Sequence, residues 1–166
     1  MAAALAGTVT NGSNAALSGA MTVSDNDNTA VAATDLSTIG GATTGTVTVT
    51  HAVAISGTAS ELKAALVTPA SKVEVTDAAV TISDGDNTSI AASDLSDIGS
   101  ATTGTVTVTH AINVTGTADQ AVVALHDTAT KVEVTDAVVT LSDDPDLTEL
   151  KQLNAATTGA IKINTQ

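Results

Sequence analysis

The chain has 166 residues, 43% of them hydrophobic, which suits one compact domain or one stretch of a repeat array and argues against disorder. It contains no Phe, Tyr, Trp or Cys, so Ala, Val, Ile and Leu must fill the core, and disulfides and thiolate chemistry are excluded. Lysines number five against 18 Asp and Glu, and the formal charge of −13 opposes binding to nucleic acid and to anionic membranes.

A repeat of 59 residues organises the sequence. The phrase ATTGTVTVTHA occupies 42–52 and returns at 101–111, 59 positions later. We therefore predict one repeat domain, 1–166, and divide it into four parts. These are a degenerate N-terminal coil, repeat units and a last strand, at 1–41, 42–100, 101–159 and 160–166.

The first half of a unit predicts two short strands. Val47 and Val49 alternate with threonines, and Val53 and Ile55 continue the alternation beyond a corner at His51-Ala52. The second half, which begins with KVEVTDA, has the same pattern.

A short helix is predicted after each pair of strands. In the first half, Thr58–Glu61 supplies the polar start, and Leu62 and Leu66 follow at helical spacing. In the second half the start is placed at Asp86–Ser89, with Leu95 inside the helix.

Each half is therefore a coil of strand, corner, strand, helix and turn, about 30 residues long, which is a solenoid period. The coils after the first are placed at 46–71, 72–104, 105–130 and 131–159. Stacking would give each strand a parallel neighbour about 4.8 Å away. The predicted fold is an α/β solenoid of stacked coils, each with two short parallel strands and a short helix.

Phrases such as VTISDGDNTSIAASDLSDIG and TGTVTV resemble the Ala-, Val-, Thr- and Asp-rich tandem repeats of giant bacterial surface or secreted proteins. The coil plan is also similar, by analogy, to leucine-rich repeats. The first resemblance implies a structural segment, either a spacer, an adhesin stalk or a layer component, at the cell surface or outside the cell. Its expected partners are neighbouring repeats and other copies meeting at terminal coils. An engineered consensus array is a further alternative.

Acidic turn phrases recur at three places and suggest a calcium site as the alternative function. Carboxylate and amide oxygens are the ligands that Ca²⁺ prefers. The candidate ligands are Asp25, Asp27, Asn28, Asp84, Asp86, Asn87, Asp143 and Asp146. Capping of the helix that follows is the simpler interpretation, at about 1 kcal/mol for each cap. Both roles stand as predictions.

Two further patterns concern exposed rows. One stacked row is expected from the corner residues His51, Asp77, His110 and Asp136. A metal site or an acid–base pair is one interpretation, but a metal ion needs converging ligands and a straight row does not converge, so we interpret the row as a solvated surface. Outward threonines such as Thr48 and Thr107 suggest an ice-binding face as a second alternative, interrupted where Lys72 and Glu74 or their repeats occupy the row.

Catalytic motifs are missing from the sequence: it contains no GxSxG, GxxxxGK[ST] or HExxH phrase. No run of residues reaches the roughly 20 apolar positions of a spanning helix. We predict a protein that is not an enzyme, does not insert into membranes, and has no cofactor unless calcium binds.

Overall fold

The computed structural model describes residues 19–164 and, before them, the backbone of residues 10–11 and 15–16. Much of the predicted degenerate coil, residues 1–41, and the end of the predicted last strand therefore lie outside the described residues.

The fold is α/β, built from short strands and short helices. The described strands are β1 Thr10–Asn11, β2 Ala15–Ala16, β3 Met21–Val23, β4 Ala30–Ala32, β5 Val47–Val49, β6 Ala54–Gly57, β7 Val73–Glu74, β8 Ala79–Ile82, β9 Ser89–Ala91, β10 Val106–Val108, β11 Asn113–Gly116, β12 Val132–Glu133, β13 Val138–Leu141 and β14 Ile161–Ile163. The described helices are α1 Ala33–Ala42, α2 Ala59–Leu62, α3 Ala92–Ser100, α4 Ala118–Leu125 and α5 Leu147–Ala156. A π-helical turn, Lys63–Val67, and a 3₁₀ turn, Pro69–Ser71, continue α2.

Strands and helices alternate in five strand–helix segments, each of which ends with one helix and a return turn. Segments 1 to 5 cover residues 20–45, 46–71, 72–104, 105–130 and 131–159. The last four follow the predicted coil boundaries. Within the described residues, successive helices contact one another in chain order, from α1 to α5.

The larger sheets are parallel. Their strand orders are β3-β5-β7, β4-β6-β8-β10-β12 and β9-β11-β13-β14, and a separate antiparallel pair joins β1 to β2. In the five-stranded sheet the inward residues form one row, Val31, Ile55, Val80, Val106 and Val132. Each strand of that sheet therefore pairs with a strand 24–26 residues further along the chain.

Segment 3 has three strands, β7, β8 and β9, and the prediction of two strands per coil is wrong there. Strand β8 pairs on one side with β6, the second strand of segment 2, and on the other with β10, the first strand of segment 4. The five-stranded sheet therefore contains the second strand of segments 1, 2 and 3 but the first strand of segments 4 and 5, which is a sideways step of one strand at segment 3. The predicted helix start at Asp86–Ser89 is also wrong, because β9 follows that turn and α3 begins at Ala92.

The core is a single cluster of small and branched side chains between the strands and the helices. Its largest fully buried members include Leu36, Ile55, Leu62, Leu95 and Ile112. The fully buried side chains are no larger than Leu and Ile. In α4 the inward positions are mostly Ala, which lets the neighbouring helices approach closely.

Candidate functional site: the turns between neighbouring segments

The three acidic turns follow strands β3, β8 and β13. The first two, at 25–28 and 84–87, lead into the short strands β4 and β9, whereas the third, at 143–146, leads directly into α5. A helix therefore follows directly, as predicted, only at the third turn.

The first aspartate of a turn caps the helix of the preceding segment. Asp84 accepts a hydrogen bond from the backbone N–H of Ala59, the first residue of α2, at 2.6 Å, and Asp143 accepts one from Ala118, the first residue of α4, at 2.8 Å. A carboxylate at a helix N-terminus satisfies a free amide and interacts favourably with the helix dipole. Capping is thus present, but on a helix that begins 25 residues before the aspartate and not on the helix that follows it.

Both of these helices also carry local caps. In α2, Thr58 accepts from the N–H of Glu61 while the Glu61 carboxylate accepts from the N–H of Thr58, and Thr117 and Gln120 make the same pair of bonds in α4. The aspartate from the next segment therefore supplies the remaining partner for the first helical amide.

The next aspartate of the turn holds the following segment. Asp86 accepts from the N–H of Ala111 at 3.2 Å, and Asn87 donates its backbone N–H to the Ala111 carbonyl at 2.7 Å. The first turn repeats the contact, with Asp27 and Ala52 joined at 3.1 Å. The turn 84–87 therefore joins segment 3 both to segment 2 and to segment 4.

The third polar residue of the first two acidic turns is an asparagine, Asn28 or Asn87. Both have positive φ, 60° and 61°, in the left-handed region that Asn tolerates better than most residues. Their occurrence before Thr is therefore accounted for by backbone geometry.

Asp146 caps its own helix. Its carboxylate accepts from the N–H groups of Thr148 and Glu149 at 2.7 and 2.8 Å, and the Glu149 carboxylate accepts from the N–H of Asp146 at 2.7 Å. This reciprocal pair is the capping box that Asp146 and Glu149 form at the start of α5.

Among the described residues, no three His, Asp or Glu side chains lie close enough together to hold a metal ion. Asp84 and Asp86 share one turn, but the three turns do not combine into one ligand group. Calcium binding therefore stays a prediction, with carboxylates that already accept backbone hydrogen bonds as its ligands.

The predicted single corner row of His51, Asp77, His110 and Asp136 is wrong between Asp77 and His110, whereas β5 with β7 and β10 with β12 keep the 26-residue offset that separates His51 from Asp77 and His110 from Asp136. Val108 is in register with Ile82, and the hydroxyl of Thr109 donates to the Ile82 carbonyl at 3.1 Å, so His110 follows a residue that lies beside the end of β8. The residue after His110, Ala111, bonds to Asp86 and Asn87. Because β9 is an additional strand, His110 neighbours the turn 84–87 and not Asp77.

The ATTG phrases form the return turns expected after a helix, and each makes joining contacts that the sequence pattern did not indicate. Each contains a threonine that is at least 94% buried, and each threonine hydroxyl donates to a carbonyl about 20–24 residues earlier. The three pairs are Thr43 with Gly19, Thr102 with Ala78 and Thr157 with Ala137, at 2.5, 2.6 and 2.7 Å. The same hydroxyls accept from the N–H groups of Gly45, Gly104 and Gly159.

The glycine of this turn allows a close backbone approach. A Cβ built on Gly104 would lie 2.3 Å from the Ala78 carbonyl oxygen, inside the van der Waals contact distance. ATTG recurs three times because its threonine bonds to an earlier backbone carbonyl and its glycine lets the chain pass close to the same backbone.

Two of the five lysines bond to helices of other segments. Lys63 makes an ion pair with Asp94 of α3, and this hydrogen bond raises the pKa of Lys63 above its ordinary value. The Nζ of Lys72 donates to the Gly40 carbonyl in the last turn of α1 at 3.2 Å. Cations at a helix C-terminus interact favourably with its dipole.

The threonine rows are short. Thr48 lies between Thr22 and Glu74, and Thr107 lies between Thr81 and Glu133. The interruption of the rows by Glu74 and Glu133, predicted from the sequence, is confirmed. An ice-binding face stays a prediction on rows broken by charge.

The described residues contain no helix that is both long and apolar enough to span a bilayer. One shallow groove lies beside β7, with Leu66, Pro69, Lys72 and Glu74 among its lining residues. Comparisons of the chain with protein-family models, curated proteins and solved structures found no match.

Proposed function

We propose that the chain is a structural repeat segment in which the strand–helix segments are the coils of an α/β solenoid. The observation that supports this most directly is the parallel register of Val31, Ile55, Val80, Val106 and Val132, which advances by 24–26 residues at each step. Such stacking satisfies each strand through its neighbours and allows an array to extend in one direction.

A mechanical role follows from what the polar side chains do. Asp84, Asp86 and Thr102 bond to backbone groups of other strands, corners and helices, and the first two of these bonds cross from one segment to the next. Side chains that fix neighbouring coils resist bending and separation of the array. The proposed role is accordingly to space or display other domains, or to form a layer, and not to catalyse a reaction.

The proposed partners are neighbouring repeats, and the proposed location is the cell surface or the outside of the cell. Both rest on the resemblance of the repeat phrases to bacterial surface arrays. The charge of −13 supports them, since a strongly charged surface keeps stacked arrays soluble.

Insertion of extra repeat units tests the proposal. One, two or three copies of residues 42–100 are placed between Ser100 and Ala101, and the maximum dimension is measured by small-angle X-ray scattering. Each copy should add an equal increment, because two coils add roughly 10 Å where strand stacks on strand and roughly 16–20 Å where helix stacks on helix. A radius of gyration that grows only as the 0.38 power of chain length, as for one globule, would contradict it.

Calcium binding at the acidic turns is the competing proposal, supported by their recurrence after β3, β8 and β13. A calcium titration of the intact chain separates the two, because a ligand that binds only the folded state raises the melting temperature. A purely structural role predicts no more shift from Ca²⁺ than from Mg²⁺ at equal ionic strength. A saturable shift specific to Ca²⁺, lost in Asp86→Asn, would favour the calcium site.

A further inference from the structure

Helices α1 and α3 each place a glycine where the following segment makes its return turn. A Cβ on Gly40 would lie 1.7 Å from the Ser71 carbonyl oxygen, and one on Gly99 would lie 2.1 Å from that of Thr130. A segment that stacks on either helix therefore requires a residue without a side chain at this position.

Helix α5 has Asn154 at the equivalent position. The buried threonines Thr43, Thr102 and Thr157 define the equivalence, because each makes the same pair of hydrogen bonds in its ATTG turn. Gly40 and Gly99 stand three residues before the first two threonines, and Asn154 stands three residues before the third. Its exposed side chain occupies the space that the next return turn would need.

The strand that would support a further segment is also missing. Strand β9 lies between β8 and α3 and pairs with β11, the second strand of the next segment. After β13 the chain enters α5 directly through residues 142–146, so segment 5 has no strand at this place. β14 pairs with β13, but a second strand beyond β14 would lack its partner.

We infer that segment 5 is a terminal coil: β14 pairs with it, but no complete further coil of this repeat stacks on it. Two independent features, Asn154 in place of glycine and the absent strand, exclude the contacts that join segments 3 and 4. The inference rests on the proposed solenoid.

The test extends the chain across two different junctions. In both proteins a copy of residues 112–166 follows Gln166, which continues the repeat from the position where β14 corresponds to β10. The first protein keeps residues 142–156, and the second replaces them with a copy of 83–101, which restores the strand and the glycine. Thermal unfolding is followed by far-ultraviolet circular dichroism, and backbone protection by hydrogen exchange.

We expect the native junction to leave the melting temperature of the original segments within about 2 °C of the parent chain. The replaced junction should unfold in one transition several degrees higher, because added stacked repeats stabilise their neighbours. Equal rises for both junctions would overturn the terminal coil while supporting the solenoid. No rise for either junction would instead contradict the solenoid itself, so the two failures are distinguishable.

A matched pair of single substitutions checks the steric part in the intact chain. Gly99→Asn places the terminal residue in a stacked helix and should lower the melting temperature by more than 5 °C, with loss of exchange protection in segment 4. Asn154→Gly, at the unstacked position, should change it by less than 3 °C. A mild effect of Gly99→Asn, similar to that of Asn154→Gly, would show that asparagine does not prevent stacking.

Discussion

Replacing Thr102 with Val removes one hydroxyl from the joining turn and preserves the shape of the side chain. Thr102 is 4% exposed, its hydroxyl donates to the Ala78 carbonyl at 2.6 Å, and it accepts from the N–H of Gly104 at 3.0 Å. The substitution therefore leaves two backbone groups without partners, the carbonyl of buried Ala78 and the N–H of half-buried Gly104. A fully buried group left unpaired costs about 1–3 kcal/mol, and the half-buried N–H of Gly104 costs less, so the expected loss is about 2–4 kcal/mol.

That loss corresponds to a fall in melting temperature of roughly 5–15 °C for a chain of this size. Circular dichroism in the far ultraviolet is the suitable assay, because the chain has no aromatic residue to serve as a fluorescence probe. Thr107→Val is the matched control, since Thr107 is exposed on β10, and it should change stability by no more than about 0.5 kcal/mol. Equal melting of the two variants would refute the role of the buried hydroxyl.

Three further predictions concern two contacts between segments and the close approach of Gly104 to Ala78 within segment 3. Asp84→Ala should cost about 1 kcal/mol and increase hydrogen exchange at Ala59, 25 residues away, whereas Asp84→Asn, which keeps an acceptor, should cost less; unchanged exchange at Ala59 would contradict the cap. Gly104→Ala should destabilise by about 1–3 kcal/mol, and Gly85→Ala, where a Cβ meets nothing within 4 Å, should not; similar melting curves would refute the close approach. Because the pKa of Lys63 is raised in the folded state, its ion pair stabilises fully below pH 10.5 and is lost as the pH rises through the higher folded value. The melting difference between wild type and Lys63→Met should therefore shrink above about pH 10.5, and a constant difference would count against it.

The positions of most strands and the boundaries of segments 2 to 5 could be predicted from the sequence. Val47, Val49, Val106 and Val108 alternate with threonine, and this period matches the two faces of a strand. The start of α2 after Thr58 could also be predicted, because a capping box depends on residues only three positions apart.

Strand β9 could not be predicted in the same way. Of its residues, Ser89–Ala91, only Ile90 has strong strand propensity, and the turn before them looks like a helix start. They are extended because β11 pairs with them, a contact that depends on residues 24 positions further along. Missing this strand also produced the wrong corner row, since one additional strand moves His110 from Asp77 to the turn 84–87.

The joining contacts were missed because they are not local. The N-cap pattern at Asp84 and Asp143 was interpreted for the helix that follows, whereas their hydrogen bonds go to helices of the preceding segments. The burial of Thr102 depends on a carbonyl 24 residues earlier, which no local pattern indicates. Three recurrences of ATTG were the available signal.

The central claim is that neighbouring segments stack in parallel with a sideways step at segment 3. The absence of native cysteine permits a direct test by oxidation of introduced cysteine pairs, with the cross-link detected as a change in electrophoretic mobility. Thr81→Cys/Thr107→Cys should cross-link rapidly, because these positions are register partners in β8 and β10. Thr48→Cys/Thr107→Cys, which joins equivalent residues of the two repeat units, should remain reduced. Rapid cross-linking of the second pair with none in the first would contradict the register on which the proposed function depends.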